Sequence, residues 1–222
     1  AVFQDNSGNA HAITANGNTK ASTNLPFGER SVYFDGVDDY LSIADDASFN
    51  LAGNDFTIET WFYCTGFPGS QTAANIYSHW STGPYAGFRL MLNSDTSLRF
   101  YNVTTSYTTS TGVYNLNEWT HLAYVYNSGQ ISIYVNGEQV LSPTTITVSD
   151  ATSGTNPQIG TLHVYPTQGE FQGYLSNFRI VKGTAVYTAA FTPPTEPLTA
   201  VSGTSLLTCQ DAVFQDNSGN AH

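Results

Sequence analysis

The sequence predicts an all-β protein, folded as a two-sheet antiparallel jelly-roll sandwich. No long stretch places apolar residues at the i, i+3, i+4 and i+7 spacing of an amphipathic helix. Short runs of β-branched and aromatic residues instead recur about every ten to fifteen residues, separated by Gly, Asn, Pro and Ser. The length of 222 residues suits one large β domain better than two small ones.

Ten segments carry this strand pattern. In chain order they are residues 31–36, 40–43, 56–64, 75–80, 87–93, 97–103, 119–127, 131–137, 173–181 and 205–210. The clearest hairpin runs from Leu122 to Val135 around the turn NSGQ at 127–130, and NG at 136–137 begins the next turn. We expect FTPPTEPL at 191–198 to be an extended connector, because proline cannot donate to a strand ladder.

Residues 1–11, AVFQDNSGNAH, recur without change at residues 212–222. Because a fixed period indicates tandem repeats, residues 1–211 are predicted to form one repeat and 212–222 the start of the next. In one interpretation, the units form a tandem array. In another, subunits polymerise and the second copy fills the neighbour's edge-strand slot, since one fold accommodates only one copy. A chain boundary just past the domain end also explains the overhang, but still requires tandem units.

The repeated peptide is predicted to form the contact between units. Its first residues predict a strand and NSGN at 6–9 predicts a turn. The contact residues are Val2, Phe3 and Asp5, with their counterparts Val213, Phe214 and Asp216. We expect Phe214 to pack in the following unit as Phe3 packs in this one, and the short junction predicts rigid stacking.

The composition excludes some partners. With 17 acidic residues against 6 Lys and Arg, the net charge of −11 disfavours nucleic acid, which requires clustered cations. No apolar run reaches the roughly 18 residues that membrane insertion requires. Uncharged polar residues, with 14 Tyr and 13 Phe, are typical of extracellular β-proteins.

Five segments resemble the laminin-G-like, concanavalin-A-like jelly-roll family. They are FDGVDDYLSI (34–43), FTIETWFY (56–63), EWTHLAYVYNSGQISIYVNGEQV (118–140), QIG (158–160) and GYLSNFRIV (173–181). Residues 179–211 are similar to a subgroup of bacterial surface and phage structural proteins in which units occur in tandem and an F-x-D-x-S opening follows the closing strand. The resemblance implies an extracellular or cell-surface location, with the virion as the alternative.

Some members of this fold are glycoside hydrolases, which need two carboxylates about 5–9.5 Å apart. The corresponding strand offers only Glu59, between Thr57 and Trp61 at the same parity. A lone glutamate on a sheet face is more often solvated or hydrogen-bonded than catalytic. We therefore expect no enzymatic activity and name no catalytic residue.

Asp35, Asp38 and Asp39 in FDGVDDY form the strongest candidate for a small-ligand site. Calcium prefers carboxylate and carbonyl oxygens on flexible loops, and several laminin-G-like domains bind it at a loop rim. In the alternative, Asp35 only hydrogen-bonds the turn at Gly36. No cofactor is required, and calcium is the candidate.

Sugar binding is the other function that the resemblance implies. Exposed loop tyrosines such as Tyr85, Tyr107 and Tyr165 could stack on pyranose rings, although they could equally cap the core. Asn102 begins the N-V-T sequon, a candidate for glycosylation where the host has that pathway.

Cys64 and Cys209 lie far from any metal-binding spacing. Both are predicted to face inward, as buried thiols or as a disulfide if their strands are neighbours.

The leading hypothesis is a non-enzymatic structural repeat of an extracellular fibre or surface appendage, whose partners are identical repeats stacked head to tail. The alternative is a carbohydrate-binding adhesion module of a cell-surface or phage tail-fibre protein, whose partners are glycans.

Overall fold

The computed structural model describes residues 2–28, 30–103, 105–162 and 169–213. Within them the chain forms seventeen strands and one 3₁₀ turn, Ala47–Phe49. The strands are β1 (Val2–Phe3), β2 (Ile13–Asn16), β3 (Lys20–Ser22), β4 (Ser31–Asp35), β5 (Tyr40–Ile43), β6 (Phe56–Gly66), β7 (Ala73–Thr82), β8 (Tyr85–Asn93), β9 (Leu98–Asn102), β10 (Ser106–Thr108), β11 (Thr120–Asn127), β12 (Gln130–Val135), β13 (Glu138–Thr145), β14 (Gln158–Ile159), β15 (Gln172–Lys182), β16 (Thr204–Thr208) and β17 (Ala212–Val213). No helix in the described residues has the length and apolarity to cross a membrane.

Two antiparallel sheets form the sandwich, which confirms the predicted fold class. The seven-stranded sheet has the order β10-β9-β8-β7-β14-β5-β2. The eight-stranded sheet places seven strands in the order β13-β12-β11-β6-β15-β4-β3, and its eighth strand, β16, pairs with β15. A separate two-stranded pairing joins β1 to β17.

The core lies between the sheets because the strands alternate apolar and polar side chains. On β6 the inward positions Phe56, Ile58, Phe62 and Cys64 are all buried in the main core cluster, as their shared parity predicts. The outward positions alternate with them. The same alternation on β8 buries Phe88, Leu90 and Leu92 and leaves the residues between them on the outer face.

All ten predicted strands are present within two residues at each end. The predicted hairpin is confirmed: Leu122 lies opposite Val135, and Asn127 opposite Gln130. Its turn has positive φ at both Ser128 (50°) and Gly129 (84°), as a type I′ hairpin requires.

A C-terminal strap, residues 184–199, crosses the outer face of the eight-stranded sheet. It contains no regular strand, in agreement with the predicted extended connector. Tyr187 and Phe191 stack with their ring centroids 3.6 Å apart and pack over the buried Tyr134. The strap backbone docks closely, since Phe191 donates to Gly137 O at 3.0 Å and a β-carbon at Gly137 would lie only 1.7 Å from Phe191 O.

Candidate functional site

An open groove crosses the outer face of the seven-stranded sheet. It consists of two adjoining cavities of about 360 and 270 Å³, which share Arg89 as a wall. We call them the polar pocket and the aromatic pocket. Outward-facing residues of β7, β8 and β9 form much of the lining, because strand alternation turns them away from the core.

The aromatic pocket is lined by Trp80, Tyr85, Arg89, Tyr101 and Val103. Trp80 is nearly buried, whereas Tyr85 is 58% exposed. The Arg89 guanidinium lies 4.3 Å from the Tyr101 ring centroid and 5.1 Å from that of Trp80. This contact follows from the register, which sets Arg89 opposite Tyr101. The two rings therefore hold the guanidinium by cation–π contact.

The polar pocket is lined by Ser70, Gln71, Thr72, Ala73, Asn75, Arg89, Met91, Arg99 and Gly169. Hydrogen bonds fix its rim: Gln71 Oε1 accepts from Gly169 N at 3.0 Å, and Asn75 Nδ2 donates to Gly169 O at 3.0 Å. These hydrogen bonds join the loop before β15 to β7 and to the loop before it, and they hold the rim in place.

Among the groove residues, buried polar atoms with no hydrogen-bond partner in the described part of the protein include Asn75 Oδ1, Trp80 Nε1 and Arg99 Nε. Buried polar atoms are nearly always paired, so unpaired ones need an explanation. Two of these atoms are donors and one is an acceptor, which is a set that a polyhydroxylated ligand satisfies.

A second row of rings crosses the outer face of the eight-stranded sheet. The register aligns Lys20, Tyr33, Tyr174 and Tyr63 on neighbouring strands, and Trp119 packs against Tyr63 with ring centroids 5.7 Å apart. The rings of Tyr33 and Tyr174 are tilted by 49°, so they offer no flat platform. The groove has the better-formed cavity and the larger set of unpaired polar atoms.

The predicted calcium ligands lie together in the turn between β4 and β5. Asp35, Asp38 and Asp39 each place one carboxylate oxygen within 4.8 Å of the others. Asp39 is fully buried; its Oδ2 accepts from Asp35 N at 2.8 Å, and its Oδ1 accepts no hydrogen bond from the described residues. Asp35 Oδ1 also accepts from Val37 N at 2.8 Å, so the turn-stabilising role of Asp35 is present too.

Ionisation of Asp39 is unfavourable in the acidic turn. Burial raises the pKa of Asp39, and the nearby charges of Asp35 and Asp38 raise it further. The backbone carbonyl oxygen of Asp38 and Oδ1 of Asp39 both lie close to Gly17. A β-carbon at Gly17 would be only 2.6 Å from each of these oxygens. The donor set fits a hard cation such as calcium, which prefers carboxylates and carbonyls.

Glu59 lies beneath the strap on the outer face of the eight-stranded sheet, away from the groove. Its Oε1 accepts from Arg179 Nε at 2.9 Å, and its Oε2 accepts from Tyr187 Oη at 2.8 Å and lies 3.2 Å from His121 Nε2. Burial opposes its ionisation, but the hydrogen bond from His121 and the charge of Arg179 outweigh burial and lower its pKa. Glu59 therefore anchors the strap.

The two cysteines are free and buried. Cys64 lies opposite Gly173 of β15, whereas Cys209 follows β16 and its carbonyl accepts from Asn177 of β15. Because β15 separates the strands that carry them, the adjacency required for the candidate disulfide is not met. Burial raises the pKa of Cys64 to about 11 and raises that of Cys209 further.

The sequon residue Asn102 lies at the end of β9. Asn102 is only 3% exposed, its Nδ2 donates to Thr147 O at 3.0 Å, and its Oδ1 accepts from Thr105 N at 2.9 Å. An attached glycan would have to break this contact, so the folded protein offers no accessible amide at this position.

The first copy of the repeated peptide lies along β16. Phe3 is buried in the core, whereas Val2 is 41% exposed. Asp5 Oδ1 accepts from Leu207 N at 3.1 Å, and Asn6 donates to Leu207 O at 2.6 Å. In the second copy, Val213 lies opposite Val2, while Phe214 and Asp216 fall outside the described residues.

Of the residues that line the groove, the sequence analysis named Tyr85 but not Trp80, Arg89, Arg99 or Tyr101. A signal existed, because Arg89 and Arg99 occupy outward positions of strands whose inward positions are apolar. Tyr107 packs against the core from an edge strand, and Tyr165 falls outside the described residues.

No curated protein matches the sequence at a significant level.

The two antiparallel sheets define a jelly-roll domain. The family described as the Concanavalin A-like lectin/glucanases superfamily matches residues 35–187. The chain belongs to this family, and the resemblance to laminin-G-like domains is confirmed.

Three solved structures share the fold. The chain is similar to the binding domain of botulinum neurotoxin serotype G, with a TM-score of 0.64, 12% identity and coverage of 83% of this chain and 46% of that one. It is also similar to a structure of botulinum neurotoxin type C, whose cell entry depends on two ganglioside molecules. The TM-score is 0.56 and the identity 14%, and the match covers 81% of this chain and 47% of that one. The third structure is domain 4 of AbnA, an extracellular GH43 arabinanase from Geobacillus stearothermophilus, in complex with arabinotriose. The TM-score is 0.58 and the identity 15%, and the match covers 84% of this chain and 96% of that one. The chain thus spans less than half of each toxin structure, and at these identities the likeness shows the fold.

Proposed function

We propose that this chain is a non-catalytic carbohydrate-binding module and that the groove on the seven-stranded sheet is its site. The observation that carries the proposal is the combination of aromatic rings with unpaired buried polar atoms around one cavity. Ligand sites combine apolar and aromatic walls with a few placed polar groups. A sugar ring matches this combination, since it has apolar C–H faces and hydroxyl edges.

The aromatic pocket would contact the apolar faces of the sugar, and the polar pocket its hydroxyl groups. Tyr85, Tyr101 and Trp80 present ring surface for stacking in the aromatic pocket. Asn75 Oδ1 can accept and Arg99 Nε can donate hydrogen bonds to hydroxyls in the polar pocket. Because a buried unpaired group costs about 1–3 kcal/mol, a hydroxyl that pairs it contributes both affinity and orientation.

The relatives favour binding over a purely structural role. The toxin structure associated with gangliosides and the arabinanase domain solved with arabinotriose are both glycan-linked by their descriptions. Glycoside hydrolysis requires two carboxylates across the sugar, whereas the described residues that line the two pockets carry amide, hydroxyl, guanidinium and aromatic groups. A binding module of this type operates at the cell surface or outside the cell, which is the location that we propose.

Binding to a glycan array, followed by calorimetry on the best ligand, tests the proposal. We expect Tyr85→Ala and Tyr101→Ala to weaken binding by about tenfold each, since a well-placed anchor is worth 1–2 kcal/mol or more. The matched control is Tyr174→Ala, which removes the same side chain from the outer face of the other sheet. Loss of binding in the control but not in the groove variants would assign the site to the second aromatic row and overturn the proposal.

A second candidate function follows from the repeated peptide. We propose that the unit also takes part in a tandem array with identical neighbours. In support, β17 pairs with β1. The residues between β16 and β17 are held by hydrogen bonds: Asp211 Oδ2 accepts from Asn6 Nδ2 at 2.9 Å, and Gln210 Nε2 donates to Asn177 Oδ1 at 2.7 Å. A short, hydrogen-bonded junction favours rigid stacking over a flexible string of domains.

Cross-linking and truncation separate the versions of this proposal. The double variant Val2→Cys/Val213→Cys should form an intrachain disulfide, because these residues are opposite one another; no cross-link would overturn the proposed junction. If residues 1–222 assemble and residues 1–211 do not, strand exchange operates. If neither assembles, the strand-exchange version is wrong and covalent tandem linkage remains.

We also propose that the acidic turn binds calcium through Asp35, Asp38 and Asp39. The three adjacent carboxylates and the unpaired Asp39 Oδ1 support this proposal. Calcium would neutralise the charges of Asp35 and Asp38, which add to burial in raising the pKa of Asp39, and would rigidify the turn between the sheets. Residues 67–72 connect this turn to the groove, because Pro68 lies against Gly36 and Ser70 to Thr72 line the polar pocket.

A further inference from the structure

We propose that the groove selects glycans that carry carboxylate groups, such as chains of uronic acid residues. This inference rests on the proposed function, because it names the class of sugar that the same groove takes. It starts from the distribution of charge. The chain has only 6 Lys and Arg, yet Arg89 and Arg99 both line the polar pocket.

Three of the other four cations contact groups outside the groove. Arg179 is buried against Glu59, Lys20 lies over the Tyr33 ring, and Lys182 Nζ donates to Ala47 O at 2.8 Å. The groove is therefore a local concentration of positive charge on an otherwise acidic protein.

The register brings the two guanidinium groups to one place. Arg89 is opposite Tyr101 and Met91 is opposite Arg99, so the two arginines are diagonal neighbours on β8 and β9. Diagonal neighbours lie about 7–8 Å apart, which lets long side chains reach one group between them. A planar guanidinium matches a carboxylate through two parallel hydrogen bonds.

The two arginines differ in what they contribute. The Trp80 and Tyr101 rings hold Arg89 in a fixed orientation, so little side-chain entropy is lost when it contacts a ligand. Arg99 Nε has no partner in the described part of the chain, although this atom is buried. A carboxylate would satisfy that donor and complete the lining.

Nearby carboxylates determine the range of the interaction. The exposed Asp95 interacts with Arg99, and Glu170 Oε2 accepts from Gln71 Nε2 at 3.1 Å. Neither residue lines the polar pocket. Since the net charge of −11 repels an acidic polymer at long range, recognition must come from short, bidentate contacts at the arginines.

Matched ligands test the inference by calorimetry in EDTA, which removes calcium bridging. The probes are an oligogalacturonate hexasaccharide and its carboxyl-reduced neutral counterpart. We expect the acidic form to bind about tenfold more tightly, which corresponds to about 1.4 kcal/mol, because hydrogen bonds to charged groups are stronger than neutral ones by about this amount. Arg99→Gln should lower the ratio of the two affinities, since Arg89 alone then contacts the carboxylate, and Arg99→Lys should lower it less.

The control is Lys20→Gln, which removes the same unit of charge from the other sheet and should leave the ratio as in the unmodified chain. Equal binding of the two probes, or a ratio that falls as far in the control as in Arg99→Gln, overturns the inference and leaves the proposed function intact. Binding of neutral glycans without either probe also overturns it. If no glycan binds, the proposed function itself fails.

Discussion

Replacing Glu59 by Gln should destabilise the fold strongly without affecting glycan binding. The change removes the charge that pairs with Arg179, which is itself only 5% exposed, and alters the groups that hold His121 and Tyr187. Removing one partner of a buried ion pair costs about 3–5 kcal/mol, because the remaining charge is left buried and unpaired. For a domain of this size each kcal/mol lowers the melting temperature by about 2–4 °C.

The expected fall in melting temperature is therefore about 6–20 °C, measured by calorimetry near neutral pH. Limited proteolysis should show the strap cleaved first, because glutamine has one acceptor oxygen where Glu59 has two, so Arg179 and Tyr187 cannot both keep their bonds to it. The matched control is Glu196→Gln, an exposed residue of the same strap, which should change stability by less than about 0.5 kcal/mol. The double variant Glu59→Gln/Arg179→Met should recover part of the loss, because no buried charge is left unpaired.

A melting temperature for Glu59→Gln within the range of the control would refute the electrostatic role of this cluster. Glycan affinity is a second readout. The groove lies on the other sheet, so a folded Glu59→Gln protein should bind with unchanged affinity. Lost affinity in the folded variant would contradict the assignment of the site to the seven-stranded sheet.

Three further predictions concern the core and the strap. Denatured, unreduced protein should show two reactive thiols, whereas native protein should react slowly, because Cys64 and Cys209 are free and buried and burial raises the pKa of both; denatured, unreduced protein that takes up no label would contradict the arrangement of β6, β15 and β16. Phe3→Ala should cost about 3–5 kcal/mol in chemical denaturation, as expected for a buried phenylalanine, and a loss below 1 kcal/mol would refute its packing. Gly137→Ala should loosen the strap and speed its proteolysis, because the added carbon meets Phe191 O and the residue has a φ of +82°; unchanged proteolysis would refute the close approach.

The strands and their facing could be predicted because they depend on local alternation. FTIETWFYC predicts both the strand and its inward set, and NSGQ predicts the turn. Short strands such as β10 and β14 were missed, since two or three residues carry no period. The strap could be predicted as extended, but its position over Glu59 depends on pairing between residues about 120–130 positions apart.

The candidate site was harder to predict because it is assembled across strands. The acidic turn is contiguous in sequence, and its three carboxylates do lie together. The groove draws on β7, β8, β9 and the loops before β7 and β15. Which outward arginine meets which ring depends on register, and no single segment of the sequence contains that information.

The pH dependence of stability can decide whether the acidic turn holds calcium. The pKa of Asp39 is raised above its ordinary value of 3.8, mainly by burial. In the metal-free protein, a raised carboxyl pKa contributes stability that is present at low pH and lost as pH rises through the folded pKa. Glu59 has the opposite shift, so its contribution is lost as pH falls through its own lowered pKa.

We therefore expect two different curves between about pH 4 and pH 7. In EDTA, the ionisation of Asp39 should reduce stability as pH rises, and Asp39→Asn should remove that trend. With calcium in excess, binding to the ionised carboxylates stabilises the native state by mass action, so the gap between the calcium and EDTA melting temperatures should widen with pH. Asp46→Asn changes an exposed acid that caps the following 3₁₀ turn; it is the control and should keep the gap. Identical curves with calcium and EDTA at every pH would show that the turn binds no metal, and that Asp39 is only a buried carboxyl that accepts from Asp35 N.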